Sequence, residues 1–214
     1  NLCEEALFTG YHAAGGYAEY AVVNEDFAYA IPEAFSDLEA PPLLCAGIIG
    51  YRALKRSGLV PGDSLAIYGF GSSAHLVLQI ALHLGCKVYV CTRGEKHRRL
   101  AKSIGAHWVG EKPEDLPEKT GRAIIFAPAG VLVPRALEQL RKGGTLSLAG
   151  IHMSSIPEMD YETHLFYEKN IHSVTANTRQ DAVELLRTAA EIPLRPHVEA
   201  FPLREANQAL LKLK

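Results

Sequence analysis

The residues best placed to do chemistry are Gly69-Phe70-Gly71-Ser72-Ser73-Ala74, a glycine-rich turn between an apolar run at 65–68 and a helical pattern at 75–84. The first glycine permits a tight reversal, and the second lets main chain approach a bulky anion such as a pyrophosphate. The third place asks for a small residue so that helix can pack on strand, and Ala74 satisfies it. The N–H groups opening a helix have no partner within it and lie at its positive end, so Ser72 and Ser73 are positioned to receive phosphates. The turn alone could serve packing only; its strand–turn–helix frame is what points to a dinucleotide.

A second group sits at the end of the next strand. The run at 88–91 passes into Thr92-Arg93-Gly94 with no carboxylate before Glu95. A dinucleotide site that prefers NAD places an acidic residue here to accept from the ribose 2′-hydroxyl. Thr92 can instead donate to a 2′-phosphate, and Arg93 can pair with it. The expected cofactor is NADP, with NAD as the alternative.

Other reactive side chains carry less. Cys3, Cys45, Cys86 and Cys91 follow no disulfide framework, and the last two flank or occupy a strand. They read as reduced core thiols, which suits a cytoplasmic protein. The nine histidines are scattered singly, without His-x-x-x-His or His-Glu-x-x-His spacing. His75 could touch a cofactor, and His152 and Met153 could line a substrate, but each reads first as an ordinary packed or polar residue. The carboxylate pairs Glu4-Glu5 and Glu114-Asp115 read as solvated. Ser72-Ser73 lacks the G-x-S-x-G frame of a nucleophile elbow.

These residues need a scaffold. Strands at 65–68, 87–91, about 107–109, 123–126 and 145–149 alternate with helices at 75–84, about 95–104 and about 131–141. That alternation is the pattern of an α/β fold, a doubly wound parallel sheet of the Rossmann type with helices on both faces. Before it, Ser36-Asp37 can cap a helix that ends at Ser57-Gly58. Residues 16–31 read as two short strands joined at Asn24-Glu25-Asp26. After the sheet come a helix at about 179–191, breaks at Pro193 and Pro196, a strand at 197–200 and a helix over 203–213. The implied division is 1–35, a remnant of a mostly β domain; 36–180, the dinucleotide-binding domain; and 181–214, a return segment. With 214 residues, 48% hydrophobic composition and a net charge of −2, the chain has core enough and no basic field for nucleic acid or an anionic membrane. No apolar run approaches the roughly 18 residues of a membrane span.

Several segments together resemble the zinc-dependent alcohol dehydrogenases of the medium-chain dehydrogenase/reductase superfamily. These are Gly15-Gly16-Tyr17-Ala18-Glu19-Tyr20, Pro42-Leu43-Leu44-Cys45-Ala46-Gly47 with Gly50-Tyr51-Arg52-Ala53-Leu54, and Val60-Pro61-Gly62-Asp63 leading to the Gly69 turn. Arg141-Lys142-Gly143-Gly144-Thr145 and Ala149-Gly150 complete the set. The resemblance implies a GroES-like character for the flanking β segments and zinc-assisted hydride transfer between a small alcohol and its carbonyl form. It implies Cys45 as a thiolate ligand of the catalytic zinc and Cys3 as a ligand of a structural zinc. Gly69, Phe70, Gly71, Ser72 and Ser73 would hold the pyrophosphate, Thr92 and Arg93 the ribose phosphate, and the peptides at Ala127 and Ala149-Gly150 would lie near the nicotinamide. A homodimer or homotetramer is implied as well. The other zinc ligands of such enzymes are not among these residues, so the chain is expected to be a fragment at both ends and inactive alone. A zinc-free reductase of the quinone or enoyl type and a non-catalytic dinucleotide-binding module remain the alternatives.

Overall fold

A computed structural model describes residues 2–192 and 194–213, so Asn1 and the break at Pro193 lie outside the described residues. Six parallel strands form one sheet in the order β3-β2-β1-β4-β5-β6: β1 Ser64–Tyr68, β2 Lys87–Cys91, β3 Trp108–Gly110, β4 Thr120–Ile125, β5 Leu140–Leu148 and β6 Asn170–Ser173. The chain works outward from β1 in one direction, then returns to β4 and works outward in the other. Between β1 and β4 the order reverses, so the turns after these two strands diverge and leave a crevice at their C-terminal ends.

Burial on both faces explains why the strands are apolar throughout rather than alternating. In β1, Leu65 and Ile67 face one core, while Ala66 and Tyr68 face the other. The first core takes α2 (Ile48–Ser57), α3 (Ser72–His83) and α7 (Arg179–Glu191); the second takes α5 (Leu132–Glu138). Helix α4 (Glu95–Ile104) adds the buried Ala101 to the first core and presents a charged face outward. Gly50 lets α2 lie close against α3: a Cβ there would stand 2.8 Å from a methyl of Val77.

The expected helix after Ser36 is present but not uniform. Ser36 does not cap it as read: its N–H and hydroxyl both donate to Glu39 Oε2, at 3.1 and 2.8 Å, and Glu39 stands at the start of the helix with no side-chain cap bond, because the chain makes a non-helical turn before it. A short turn, α1 (Ala40–Pro42), then passes through a π-helical turn at Leu43–Gly47 before α2 begins. Gly58, in the left-handed conformation at φ +69°, ends α2 where the sequence places the stop.

Three expectations differ. The strands read at 16–31 do not form; that stretch is exposed main chain with a 3-10 turn at Glu25–Phe27. A hairpin in isolation is marginal, and no described strand lies alongside to complete it. The strand read at 197–200 is also irregular. Nearby main chain is instead met by side chains of α3: the His197 N–H donates to His75 Nε2 at 3.1 Å, and Gln79 bonds both the N–H and the carbonyl of Arg195. Conversely, β6 and the short α6 (Tyr161–His164) were not read from sequence. Asn170-Ile171-His172-Ser173 is a polar edge strand with only a weak apolar signal. The final helix appears as a 3-10 turn at Leu203–Glu205 followed by α8 (Ala206–Leu213).

Candidate functional site

The two glycines of the turn do different work. At Gly69 the chain adopts φ +87°, and a Cβ would stand 2.7 Å from the main-chain nitrogen of Ala127 at the end of β4. Left-handed backbone and close approach coincide, so no other residue fits. Gly71 is extended at φ −107°, and a Cβ there would meet nothing within 4 Å. Its missing side chain leaves open space rather than satisfying a neighbour. Helix α3 then begins without a side-chain cap, and its first turn at Gly71 and Ser72 is exposed. Uncapped N–H groups at the positive end of a twelve-residue helix, facing open space, are suited to an anion.

Around this turn lies a groove of about 730 Å³, within the range of small-molecule sites. From β1 and α3 come Gly69, Phe70, Gly71, Ser72 and Ser73. The end of β2 supplies Cys91, Thr92, Arg93 and Gly94, and the residue just past β5 is Ala149. The chain after β4 contributes Phe126 and Ala127, then Pro128, Ala129, Val131 and Leu132. Main-chain bonds lock these ends together: Gly69 N–H to Cys91 O at 2.8 Å, Phe126 N–H to Tyr68 O at 2.8 Å, and Ala149 N–H to Ile125 O at 2.8 Å.

Nine of the sequence-read residues therefore border one groove: Gly69, Phe70, Gly71, Ser72, Ser73, Thr92, Arg93, Ala127 and Ala149. Gly150 stands just behind, where a Cβ would come within 2.8 Å of the Ala127 carbonyl oxygen. Thr92 is buried, with its N–H bonded to Gly110 O at 2.9 Å, while the Arg93 side chain is exposed. Cys45, on the π-helical turn, and Cys3 are exposed free thiols that do not border the groove; Ile49, one turn beyond Cys45, does. Among the described residues no three His, Cys, Asp or Glu side chains gather as a metal site.

Sequence reading missed His97, Glu111, Arg135 and Ile151, all of which line the groove. Glu111 comes two residues past the strand read at about 107–109 and directly after β3, and that position was the available signal. Glu114 is not simply solvated. Arg135 grips it through two bonds of 2.5 and 2.6 Å and, by those bonds first, holds its carboxyl below the usual range. Cys91 is a core thiol, pushed up to about 12 chiefly by burial, and Cys86 is raised for the same reason. His75 is packed rather than reaching into the groove. Burial holds it below its ordinary value, its Nε2 accepts from His197, and its Nδ1 faces Gly71 O at 3.4 Å.

Comparison with known proteins agrees with this geometry. The family model described as zinc-binding dehydrogenase matches residues 74–191. A probable alcohol dehydrogenase, AdhA, of Mycobacterium tuberculosis is 47% identical over 210 residues, covering 98% of this chain and 61% of the relative. The chain thus spans about three-fifths of that relative's length. Acetophenone reductase from Geotrichum candidum, solved with NAD, superposes with a TM-score of 0.86 at 22% identity, over 99% of this chain and 62% of that one. A Helicobacter pylori protein named CAD, solved with NADP(H), gives 0.71 at 22% identity, over 82% of this chain and 51% of that one. At such identities the two structures establish the fold.

Proposed function

The chain belongs to the zinc-binding dehydrogenase family, and on that premise we propose that it is the coenzyme-binding part of an oxidoreductase. Its reaction is reversible hydride transfer between a small alcohol and the matching aldehyde or ketone, with NADP(H). The observation that carries this reading is the junction of β1 and α3. There an obligatory Gly69, an open Gly71 and an uncapped helix stand at the reversal of strand order.

In this reading Gly71, Ser72 and Ser73 bind the pyrophosphate through main-chain N–H groups and the helix dipole. Thr92 and Arg93 receive the ribose 2′-phosphate, and Phe70 closes the floor of the turn by packing into the core. The Ala127 and Ala149-Gly150 peptides border the nicotinamide end, where apolar neighbours exclude water and fix the ring's orientation. When bound, the coenzyme supplies the hydride chemistry; the protein supplies position and electrostatics.

Zinc is a different case. Catalytic zinc needs three protein ligands, and the described residues do not gather three, so they do not fit the metal by themselves and no step is drawn through it. The reading assigns Cys45 as one thiolate ligand of a catalytic zinc and Cys3 as one ligand of a structural zinc, the remaining ligands coming from elsewhere. Turnover by this chain alone is not expected.

Residues 36–180 are assigned as the coenzyme domain, 1–35 as a remnant of a GroES-like catalytic domain, and 181–214 as the segment returning to it, whose first helix packs on the sheet's core. Assembly is taken as a homodimer or homotetramer. No described helix is long and apolar enough to cross a membrane, and the free buried thiols support a cytoplasmic location.

Titration with NADPH and NADH, followed by nicotinamide fluorescence, tests the reading. NADPH should bind saturably and more tightly than NADH, and Arg93→Ala should weaken mainly NADPH. A folded protein that binds neither nucleotide ends the proposal.

A further inference from the structure

Glu111 is the one carboxylate that lines the groove among the described residues, and its position is firmly set. The Cys91 thiol donates to its main-chain oxygen at 3.1 Å, next to the bond from Thr92 N–H to Gly110 O. Its carboxylate is met by Arg98 Nη1 at 2.6 Å. Arg98 stands one turn into α4, and its main-chain N–H donates to Gly94 O at 3.0 Å. The same Nη1 donates to the carbonyl oxygens of Arg93 at 2.5 Å and Thr92 at 3.3 Å. One half-buried guanidinium therefore ties the two residues that would read the ribose to the carboxylate that would oppose a phosphate there.

We infer that Arg98 and Glu111 together set the coenzyme preference, Arg98 as a positioning residue and Glu111 as the charge it keeps in check. The inference rests on the NADP(H) reading above. With Arg98 in place, the Glu111 carboxylate is paired with a guanidinium and the Thr92-Arg93-Gly94 main chain is held so that Arg93 stays free for a 2′-phosphate. Without Arg98, an unpaired carboxylate faces that site. It repels the phosphate of NADPH and offers an acceptor to the 2′-hydroxyl of NADH, the role an acidic residue plays at an NAD site. A unit charge acting on a phosphate a few ångströms away in a hydrated groove amounts to about tenfold in affinity, and it weakens as salt is added.

The experiment is titration of the protein and its variants with NADPH and NADH at low and high ionic strength. Arg98→Gln should lower the NADPH-to-NADH affinity ratio about tenfold, with a smaller drop at high salt, and Arg98→Lys should recover part of it. Glu111→Gln should raise the ratio, and the double variant should return toward wild type. Glu111 is exposed and not in the core, so its variant keeps the test valid if Arg98→Gln fails to fold. A ratio that stays within twofold across Glu111→Gln and every folded Arg98 variant, while wild type binds NADPH, overturns this inference alone. Wild-type protein that binds neither nucleotide, or NADH only, overturns the coenzyme reading and this inference with it.

Discussion

The two edges of the central sheet are built on opposite principles. At the N-terminal edge, several polar groups are matched to one another. Ser64 Oγ accepts from Gly121 N–H at 3.0 Å, Arg122 pairs with Asp63 at 3.3 Å, and Arg122 also reaches Thr145 Oγ1 at 3.3 Å. Asp63 additionally accepts from Val60 N–H at 3.2 Å. At the C-terminal edge, the backbone is pinned just as firmly, yet α3 opens without a cap onto a groove. One edge meets most of its own hydrogen-bonding needs, the buried Thr120 hydroxyl excepted, and the other keeps main-chain donors in reserve. A fold can leave donors unmet only where solvent or a ligand supplies acceptors, which is why the difference marks the site.

Substitutions at the two edges should therefore fail differently. The largest effect is expected at Gly69. Gly69→Ala forces a side chain into left-handed backbone and against Ala127 N, and should cost about 2–4 kcal/mol of stability, read as a fall in denaturant midpoint. Retention of full stability would remove the argument that this glycine is obligatory. Gly71→Val comes next and should separate folding from binding. A Cβ there meets no neighbour, so stability should change by under about 1 kcal/mol, while NADPH affinity falls tenfold or more because the added carbons occupy the approach to the α3 amides. Unchanged affinity would show that nothing passes over Gly71. The smallest effect is expected at the opposite edge. Asp63→Ala removes an ion pair that is about a quarter exposed on each side and one bond to the Val60 N–H. It should cost about 1 kcal/mol and leave nucleotide binding as it was. A change in binding would erase the contrast between the edges.

Much of this was legible in the sequence, and the gaps have a common cause. Strand and helix positions from 64 to 110 follow from local periodicity, and α7 (Arg179–Glu191) matches its reading because a Thr178–Asp181 capping box marks its start. The strands read at 16–31 failed because a strand depends on a neighbour that periodicity cannot supply. The polar β6 escaped notice for the converse reason, since its place in the sheet comes from β5 beside it. At the site, Gly69–Ser73 and Thr92-Arg93 were visible because their chemistry is written in consecutive residues. Glu111 and Arg135 belong to no local motif, and only the place of Glu111 just past a strand hinted at its role.

By itself the sequence determined the alternation of strands and helices, the turn able to take an anion, and the absence of a carboxylate directly after β2. Those properties depend on near neighbours along the chain, where backbone sterics and side-chain period act. Tertiary structure alone decided that a carboxylate twenty residues past Cys91 would face the same groove, with Arg98 laid across it. Parallel strands require long crossovers, so their ends meet in space only after the whole sheet has assembled.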